Sequence, residues 1–326
     1  MDTSTPAQPA ARRFDFGNLG LAAFVVLLIV SFSLASPHFL TFGNITNMLL
    51  TVSVIGVMAA VSTLVIVGRE LDLSVGSVAA LAGVVVAILV ESKGWAWPAG
   101  LAAGVAVGVM TGAFNGFMVA SLRVNSIITT IGTLALFRGI AFIVTDGQTA
   151  MVQNEPILAF GFGRILGVPY SVWILVAVFG AAHFLAERTA VGRSIFAIGA
   201  SPRAALLSGL NLNRMRFWMF VASGISAAVA GILLIGQSGA AVPSGATGYE
   251  LQVITAVLLG GTSLAGGEGS VLRTALGVLV IGILNNGMVL LNVPSFYQIA
   301  ANGVLLLVAV AIDQLRIRRG SFNEER

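Results

Sequence analysis

The sequence predicts an all-α polytopic membrane protein with about ten transmembrane helices. Hydrophobic residues make up 57% of its 326 residues and charged residues only 9%. The mean hydropathy is +0.98, so an ordinary soluble domain is excluded. The apolar runs are continuous and roughly 20 residues long, the length that an α-helix needs to cross the hydrocarbon core. The strands of a membrane barrel would instead alternate apolar and polar residues.

The predicted spans lie between short polar turns. They are residues 19–36, 45–67, 74–90, 98–120, 127–144, 170–186, 217–235, 252–264, 271–291 and 296–312. The first could be mistaken for a signal peptide, but it is longer than the apolar part of one, and we expect it to remain as a helix. The eighth is short and is followed by two glycine-dense turns. We therefore expect a short or broken helix there, enclosed by protein.

The arginines predict which side of the membrane each turn occupies, because loops rich in Arg and Lys stay in the cytoplasm. Ten spans would place all the basic clusters inside: Arg12, Arg13, Arg123, Arg188, Arg193, Arg203, Arg214, Arg216, Arg316, Arg318 and Arg319. We predict cytoplasmic tails at residues 1–18 and 313–326, a single transmembrane domain at 19–312, and an external segment at 145–168. This topology explains the net charge of +4 without a nucleic-acid partner.

The longest polar interruption is the basic loop, residues 187–216, which contains five arginines. Ser201 and Pro202 form a helix-start signal, and Gly209 offers a stop. The helix between them would be too short to be stable alone, so it needs a partner surface. We expect Arg203, Ala204 and Ala205 to dock into a separate cytoplasmic protein. The alternative, a loop that serves only to set the topology, is equally compatible with this pattern.

Catalytic chemistry has little support in the sequence. There is no cysteine, which excludes disulfides and thiolate sites. His38 and His183 are isolated, and neither has a metal-binding partner at the usual spacing. Lys93 is the only lysine, and its ESKGW context does not match the phosphate-binding loop of an ATPase. If ATP powers the protein, another subunit must bind ATP and Mg.

The motif GRELDLSVG, residues 68–76, places charged residues between two apolar spans. Its site candidates are Gly68, Glu70, Asp72, Ser74 and Gly76. Ionisable groups at membrane depth are costly and usually functional. The alternative is a cytoplasmic turn with compensated charge, in which Asp72 and Ser74 cap the third helix. We expect a structural turn that also faces the cytoplasmic machinery.

Among the uncharged polar residues within or near the spans, we single out Asn115, Asn285, Asn286 and Gln298. Their amides could contact a hydroxyl-rich solute along a translocation path. They could equally hydrogen-bond across helices and hold the bundle together, which is the commoner role of such residues. We predict that Asn115 and Asn286 line the path, with the helix-bridging alternative open.

Two pairs of matching segments indicate an inverted repeat. Residues 68–71 (GREL) match 248–251 (GYEL), and 108–119 in the fourth span match 277–289 in the ninth. Spans displaced by five positions run in opposite directions. Inverted repeats are typical of transport folds, whose solute sites lie between the two halves.

Three stretches together resemble the membrane permease subunits of ribose-type sugar ABC importers. They are residues 68–76, the loop 191–217 followed by SGISAAVAGIL (223–233), and GYELQVITAVLLGGTSLAGGEGSV (248–271). The resemblance extends over nearly the whole chain from the first span. It implies a fold like that of the vitamin B12 importers and a location in the bacterial cytoplasmic (inner) membrane. One departure from the family is Ser201-Pro202-Arg203, where a more acidic stretch is usual.

The same resemblance implies partners. A second permease copy or a paralogue, cytoplasmic ATP-binding-cassette subunits that hold ATP and Mg, and a periplasmic sugar-binding protein would complete the importer, surrounded by membrane lipid. The chain would be a transport subunit without its own ATPase site, moving a sugar or a related polyhydroxylated solute. The alternative is a secondary transporter of a small polar solute. That class normally needs a carboxylate within the spans, whereas Glu70, Asp72, Glu250 and Glu268 all lie in predicted turns.

Overall fold

A computed structural model describes residues 16–324 of the chain. Residues 1–15, which hold most of the predicted N-terminal tail with Arg12 and Arg13, lie outside the described residues, as do residues 325–326. The described part folds almost entirely into α-helix. Its few strands are two residues long and form two small antiparallel pairs, β1 with β4 and β2 with β3.

The elements follow the chain in a simple order. The helices are α1 (Phe16–Ala35), α2 (Phe42–Val67), α3 (Val75–Ala87), α4 (Trp97–Gly116), α5 (Ser126–Val144), α6 (Glu155–Phe162), α7 (Tyr170–Arg188), α8 (Ala190–Ala200), α9 (Pro202–Leu207), α10 (Leu212–Ser238), α11 (Tyr249–Leu259), α12 (Val271–Leu290) and α13 (Ser295–Glu324). The strands are β1 (Ala150–Met151), β2 (Arg164–Ile165), β3 (Val168–Pro169) and β4 (Ala240–Ala241). A π-helical turn continues α3 (Ile88–Ser92) and another continues α4 (Phe117–Ser121).

Ten of these helices correspond to the ten predicted spans. Eight are long and apolar enough to cross a membrane, namely α2 to α5, α7, α10, α12 and α13. The other two are α1, whose apolar part Gly20–Ala35 has 16 residues, and the 11-residue α11, which account for the first and eighth spans. The prediction of an all-α polytopic protein is therefore confirmed.

Several boundaries differ from the predicted ones. The eighth span, predicted at 252–264, is α11, which begins three residues earlier and ends at Leu259, before the first glycine turn. The last helix continues to Glu324, through most of the predicted tail 313–326, because hydropathy marks the membrane-embedded part of a helix and not its end. The segment 145–168 contains α6, which was not predicted and which begins with a proline in its first turn.

The centre of the bundle is formed by α2 and α10, which are mostly buried, whereas α13 lies at the periphery. Close packing of α10 against α4 depends on glycine. A Cβ on Gly108 would collide with the carbonyl group of Gly224, and one on Gly112 with that of Phe220. Glycine recurs every fourth residue along α4, at Gly100, Gly104, Gly108, Gly112 and Gly116. This spacing places the glycines along one stripe, where small residues let helix backbones approach.

Two connections leave the helical geometry and turn back into the bundle. We call residues 68–74, between α2 and α3, the first break, and residues 239–248, between α10 and α11, the second break. They approach from opposite ends of α10, because the first contacts Arg216 near the start of that helix and the second follows its last residue. Since α11 has 11 residues and is about 16 Å long, it covers only about half of the hydrocarbon thickness.

Candidate functional site

The short helix predicted within the basic loop is present as α9. Ser201 precedes it, and its hydroxyl oxygen accepts a hydrogen bond from the Ala204 N–H at 3.3 Å. Pro202 occupies the first helical position. Gly209 follows with φ of +83°, a left-handed conformation that glycine adopts without strain. The local sequence therefore determines both ends of this helix.

The basic loop contains a second helix, α8, which the sequence reasoning missed. Thr189 caps it through a 3.1 Å hydrogen bond from the Gly192 N–H to its hydroxyl. Ile195 and Ile198 are fully buried, three positions apart on one face. That spacing was the available signal, because apolar residues at i and i+3 indicate a helix with one buried side. The basic loop thus contains two consecutive helices, α8 and α9.

The outward face of α9 differs from the one expected. Ala205 was expected to contact a partner, but it is only 4% exposed and packs against the chain itself. Leu206 and Leu207 are 61% and 82% exposed, and Arg203 and Ala204 are exposed beside them. The sequence could not show this, since the inward face of a short helix is decided by tertiary packing. The exposed leucines form an apolar tip in a polar loop, a composition that favours a protein contact.

A cleft of about 850 Å³ lies beside this tip. Leu206 and Gly209 line it on the side of α9, Arg69 and Glu70 on the side of the first break, and Arg123 near the start of α5. The cleft and the leucine tip together form a surface with apolar and charged parts.

The first break is tied directly to the end of α8. Arg69 donates a hydrogen bond through Nη2 to the carbonyl oxygen of Ala200 at 3.2 Å. The Gly267 N–H donates to the carbonyl of Val67 at 2.8 Å, and Gly199 lies against that same carbonyl so closely that a Cβ would collide with it. These contacts join the end of α8 to the end of α2 and the start of the first break.

A salt bridge adds a further link between the first break and α10. The Nε atom of Arg216 lies 2.7 Å from a carboxylate oxygen of Glu70. Its N–H does not point at that oxygen, so the contact is an ion pair without a well-formed hydrogen bond. Burial raises the pKa of the Glu70 carboxyl, while the Ser126 hydroxyl and the charge of Arg216 act to lower it.

Asp72 lies at the centre of a buried polar network in the first break. One carboxylate oxygen accepts hydrogen bonds from the N–H and the hydroxyl of Ser74, at 2.9 and 2.6 Å. The other accepts from the Ser223 hydroxyl on α10 at 2.7 Å. The Asn115 amide donates to the Ser74 hydroxyl at 2.9 Å. Asp72 is only 6% exposed, so its side chain faces the bundle, whereas Arg69 and Glu70 of the same turn line the cleft beside α9.

The capping expected of the Asp72 and Ser74 pair is only partly present at the start of α3. Asp72 accepts from the N–H of Ser74, the residue before the helix, and the Ser74 side chain makes no capping hydrogen bond. Gly76 in the first turn lies against the carboxylate of Glu250 and the carbonyl of Ala246, and a Cβ there would collide with both. The starts of α3 and α11 therefore meet inside the bundle. The predicted match of 68–71 with 248–251 places its two glutamates differently, since Glu70 precedes α3 whereas Glu250 lies within α11.

The second break is held by Arg138 of α5. Its Nη1 atom donates to the carbonyl oxygens of Pro243 and Gly245, at 2.8 and 2.5 Å. The N–H of Gly248 donates to the Glu250 carboxylate at 3.2 Å. Sequence reasoning did not select Arg138, although an arginine in the middle of an apolar span is itself a signal of a functional or structural polar contact.

Asn285 and Asn286 bridge helices, whereas Gln298 bonds to the turn just before its own helix, α13. Asn286 and Asn44 exchange two hydrogen bonds of 2.8 Å between α12 and α2. Asn285 donates to Gln252 at 3.1 Å and accepts from Asn302 at 3.0 Å. Gln298 donates to the carbonyl of Val293 at 2.8 Å.

These contacts do not bring Asn115 and Asn286 into one site. The first bonds to the start of α3, and the second bonds at the opposite end of α2 from the first break. Their geometry favours the helix-bridging alternative.

Helices that break and meet inside the bundle are typical of membrane transport proteins, where irregular backbone is tolerated only if protein or water surrounds it. The fold and the site define this class. Residues 44–310 match the family model described as "Branched-chain amino acid transport system / permease component". The chain therefore belongs to this family of transport-system permease components.

Three relatives from curated proteins match most of the chain. The ribose import permease protein of Escherichia coli (strain K12) is 42% identical over 89% of this chain and 91% of its own length. The L-arabinose transport system permease protein of the same strain is 37% identical over 93% of each chain. The L-arabinose ABC transporter permease protein of Azospirillum brasilense is 37% identical over 91% of this chain and 87% of its own length. No solved structure matches the chain significantly, so the fold like that of the vitamin B12 importers stays a prediction.

Proposed function

We propose that this permease is the membrane-spanning subunit of an ATP-driven importer for a sugar or a related polyhydroxylated solute. The observation that carries the proposal is the leucine-tipped helix α9, whose outward face is free while its base is bonded through α8 and Arg69 to the first break. A tip of this kind suits a cleft in a cytoplasmic ATPase subunit, which would bind the ATP and Mg. The permease itself would undergo the conformational change that moves the solute, and it would not catalyse ATP hydrolysis.

The sugar class is supported by two of the relatives, a ribose import permease and an L-arabinose transport system permease. The family model is described by branched-chain amino acid transport, but these two relatives match about nine-tenths of the chain. The other proposed partners are a second permease copy or a paralogue, and a periplasmic sugar-binding protein. The proposed location is the bacterial inner membrane with both termini in the cytoplasm. A reporter fused after Arg319 tests that orientation, which is wrong if the reporter reads external.

The proposed mechanism is mechanical. Closure of the ATPase subunits would push α9 and α8, which would displace the first break through the Arg69 and Glu70 contacts. The buried Asp72 network would pass this displacement to α3, α4 and α10. Because packed interfaces have discrete arrangements, such a shift can select between an inward-open and an outward-open state.

The test is Leu207→Glu, with Leu166→Glu as the matched control. Leu166 is 91% exposed, lies in the turn between β2 and β3, and is predicted to face the opposite side of the membrane. The charge on α9 should weaken ATPase docking at least about tenfold, the factor expected when one buried contact worth about 1.4 kcal/mol is lost. Co-purification of the ATPase subunit and ATP-dependent uptake into vesicles measure the effect.

The control variant should dock and transport normally. Undiminished ATP-dependent uptake by the Leu207→Glu permease contradicts the coupling role of α9. Uptake that needs an ion gradient but no ATP would instead support the secondary-transporter alternative, in which α9 has no partner.

A further inference from the structure

Backbone carbonyl groups in the second break need hydrogen-bond donors from elsewhere in the chain. Within residues 239–248 the chain is not helical, so its carbonyl groups cannot all be satisfied by N–H groups one turn later. Unsatisfied carbonyls are costly at membrane depth, where water is scarce. Arg138 supplies donors for two of them, Pro243 and Gly245, from a neighbouring helix.

Arg138 lies deep in the predicted membrane region. It is 12 residues after Ser126, the first residue of α5, which corresponds to a rise of about 18 Å along the helix. An ionised side chain at that depth is costly unless it is paired. Its guanidinium is compensated by the two carbonyls and by the charge of the Glu250 carboxylate. A planar guanidinium holds two acceptors in fixed directions, which a lysine ammonium does not.

The carbonyls that Arg138 holds lie immediately before the junction of the two broken helices. Ala246, next to Gly245, has φ of +54°, a conformation that is unfavourable for a residue with a Cβ and persists only when its surroundings hold it. The carbonyl of Ala246 lies against Gly76 of α3. Arg138 therefore holds the strained segment that presents the start of α11 to the start of α3.

The start of α5, the helix that carries Arg138, contacts the first break. The Leu71 N–H donates to the Ser126 hydroxyl at 3.4 Å, and the Thr130 hydroxyl lies 3.3 Å from the Leu71 carbonyl. Thus α5 contacts both breaks, through neutral hydroxyls at its start and through a charged guanidinium about three turns later.

We propose that Arg138 is a positioning residue for transport: it fixes the second break to α5, so that α5 links the position of the first break to that of the second. This rests on the proposed function only for the transport readout. The local part of the proposal, that Arg138 holds the second break closed, is tested on the permease alone.

The chain contains no cysteine, so single cysteines report local opening without background. Ala246→Cys places a thiol at a position that is 6% exposed in the second break. In the purified full-length permease, adding Arg138→Met should raise its maleimide labelling rate at least about tenfold, the factor expected for losing one charge-assisted hydrogen bond. Arg138→Lys keeps the positive charge but lacks the planar guanidinium, so it should give an intermediate labelling rate.

Ala227→Cys is the control for general unfolding, because Ala227 is completely buried in the middle of α10. It should stay unlabelled in both Arg138 variants. An unchanged rate at Ala246→Cys overturns the proposal. So does a parallel increase at Ala227→Cys, which would make Arg138 a general stability residue.

The transport link has its own readout in the complete importer. Arg138→Met should lower the solute taken up per ATP hydrolysed, while co-purification of the ATPase through α9 stays normal, and Arg138→Lys should recover part of the loss. Faster labelling with unchanged uptake per ATP would overturn the link through α5. Since the labelling assay needs neither solute nor ATPase, its failure is distinguishable from a failure of the proposed importer function.

Discussion

The two breaks solve the same structural problem with different chemistry. The first is held by side chains, with the Asp72 carboxylate accepting three hydrogen bonds inside the bundle. The second is held mainly through its own carbonyls, by one arginine and by turns such as the Gly245 N–H to Val242 carbonyl bond at 2.8 Å. Because the Arg138 bonds are charge-assisted too, the two breaks differ in where the charged group lies: within the first break itself, and on a neighbouring helix for the second.

The two breaks also differ in how much of each is buried. The first break is the one joined to α8, and both of its carboxylates, Glu70 and Asp72, are buried. The second break has exposed residues, including Val242, Ser244 and Thr247. A buried polar connection beside the proposed docking surface and a more exposed one at the far end of α10 suit the transmission of a displacement between them.

Removing the buried carboxylate should have the largest effect. Asp72→Ala would leave the Ser74 N–H and the hydroxyls of Ser74 and Ser223 without their acceptor, and each buried donor left unsatisfied costs about 1 to 3 kcal/mol. We expect a large fall in the thermal unfolding midpoint of the purified permease and little assembled complex.

Asp72→Asn is the matched variant, because it keeps the shape and one accepting oxygen. It should lose less stability than Asp72→Ala. Equal and small losses of stability in the two variants would show that the Asp72 network does not hold the first break. The contrast drawn between the two breaks would then be wrong.

Breaking the salt bridge should have an intermediate effect. Arg216→Met leaves the Glu70 carboxylate largely buried without its cation and should cost about 1 to 3 kcal/mol. The double variant with Glu70→Gln should recover part of this loss, because no buried charge is then left unpaired. Uptake should fall in both variants, because the link between α10 and the first break is lost.

The same pair predicts a dependence on pH. Burial already raises the pKa of Glu70 above its ordinary value of 4.5, and loss of Arg216 raises it further. A raised pKa in the folded state means that the ionised carboxylate opposes folding, so its penalty grows as pH rises through that pKa. The stability deficit of Arg216→Met should therefore narrow as pH is lowered toward 4.5. Thermal midpoints measured across pH check this, and a deficit that widens in acid contradicts it.

Much of the fold was predictable because each membrane span is a continuous run of apolar residues. The capped helix α9 was predictable for a local reason, since Ser201, Pro202 and Gly209 act within one turn of their own positions. The glycine stripe of α4 was also visible as a period of four, although only the structure identifies α10 as its partner.

The site was harder to predict because its contacts join distant residues. Arg138 bonds to Pro243 and Gly245, more than 100 positions away, and no local pattern encodes that pairing. The inward orientation of Ala205 likewise depends on how α9 packs against the rest of the chain. Propensity and spacing can place a helix, but its buried face follows from tertiary packing.

The smallest effect is expected from the neutral contact between α5 and the first break. The Thr130 hydroxyl lies 2.8 Å from the Ser126 carbonyl within its own helix and 3.3 Å from the Leu71 carbonyl, so the second contact is the longer and weaker one. Thr130→Val keeps the side-chain shape and removes both bonds, at a cost of about 1 kcal/mol or less. If stiffness in the first break comes from Asp72, this variant should fold and transport nearly normally, as measured by thermal midpoint and uptake. A loss as large as that of Asp72→Ala would move the main attachment of the first break from α10 to α5.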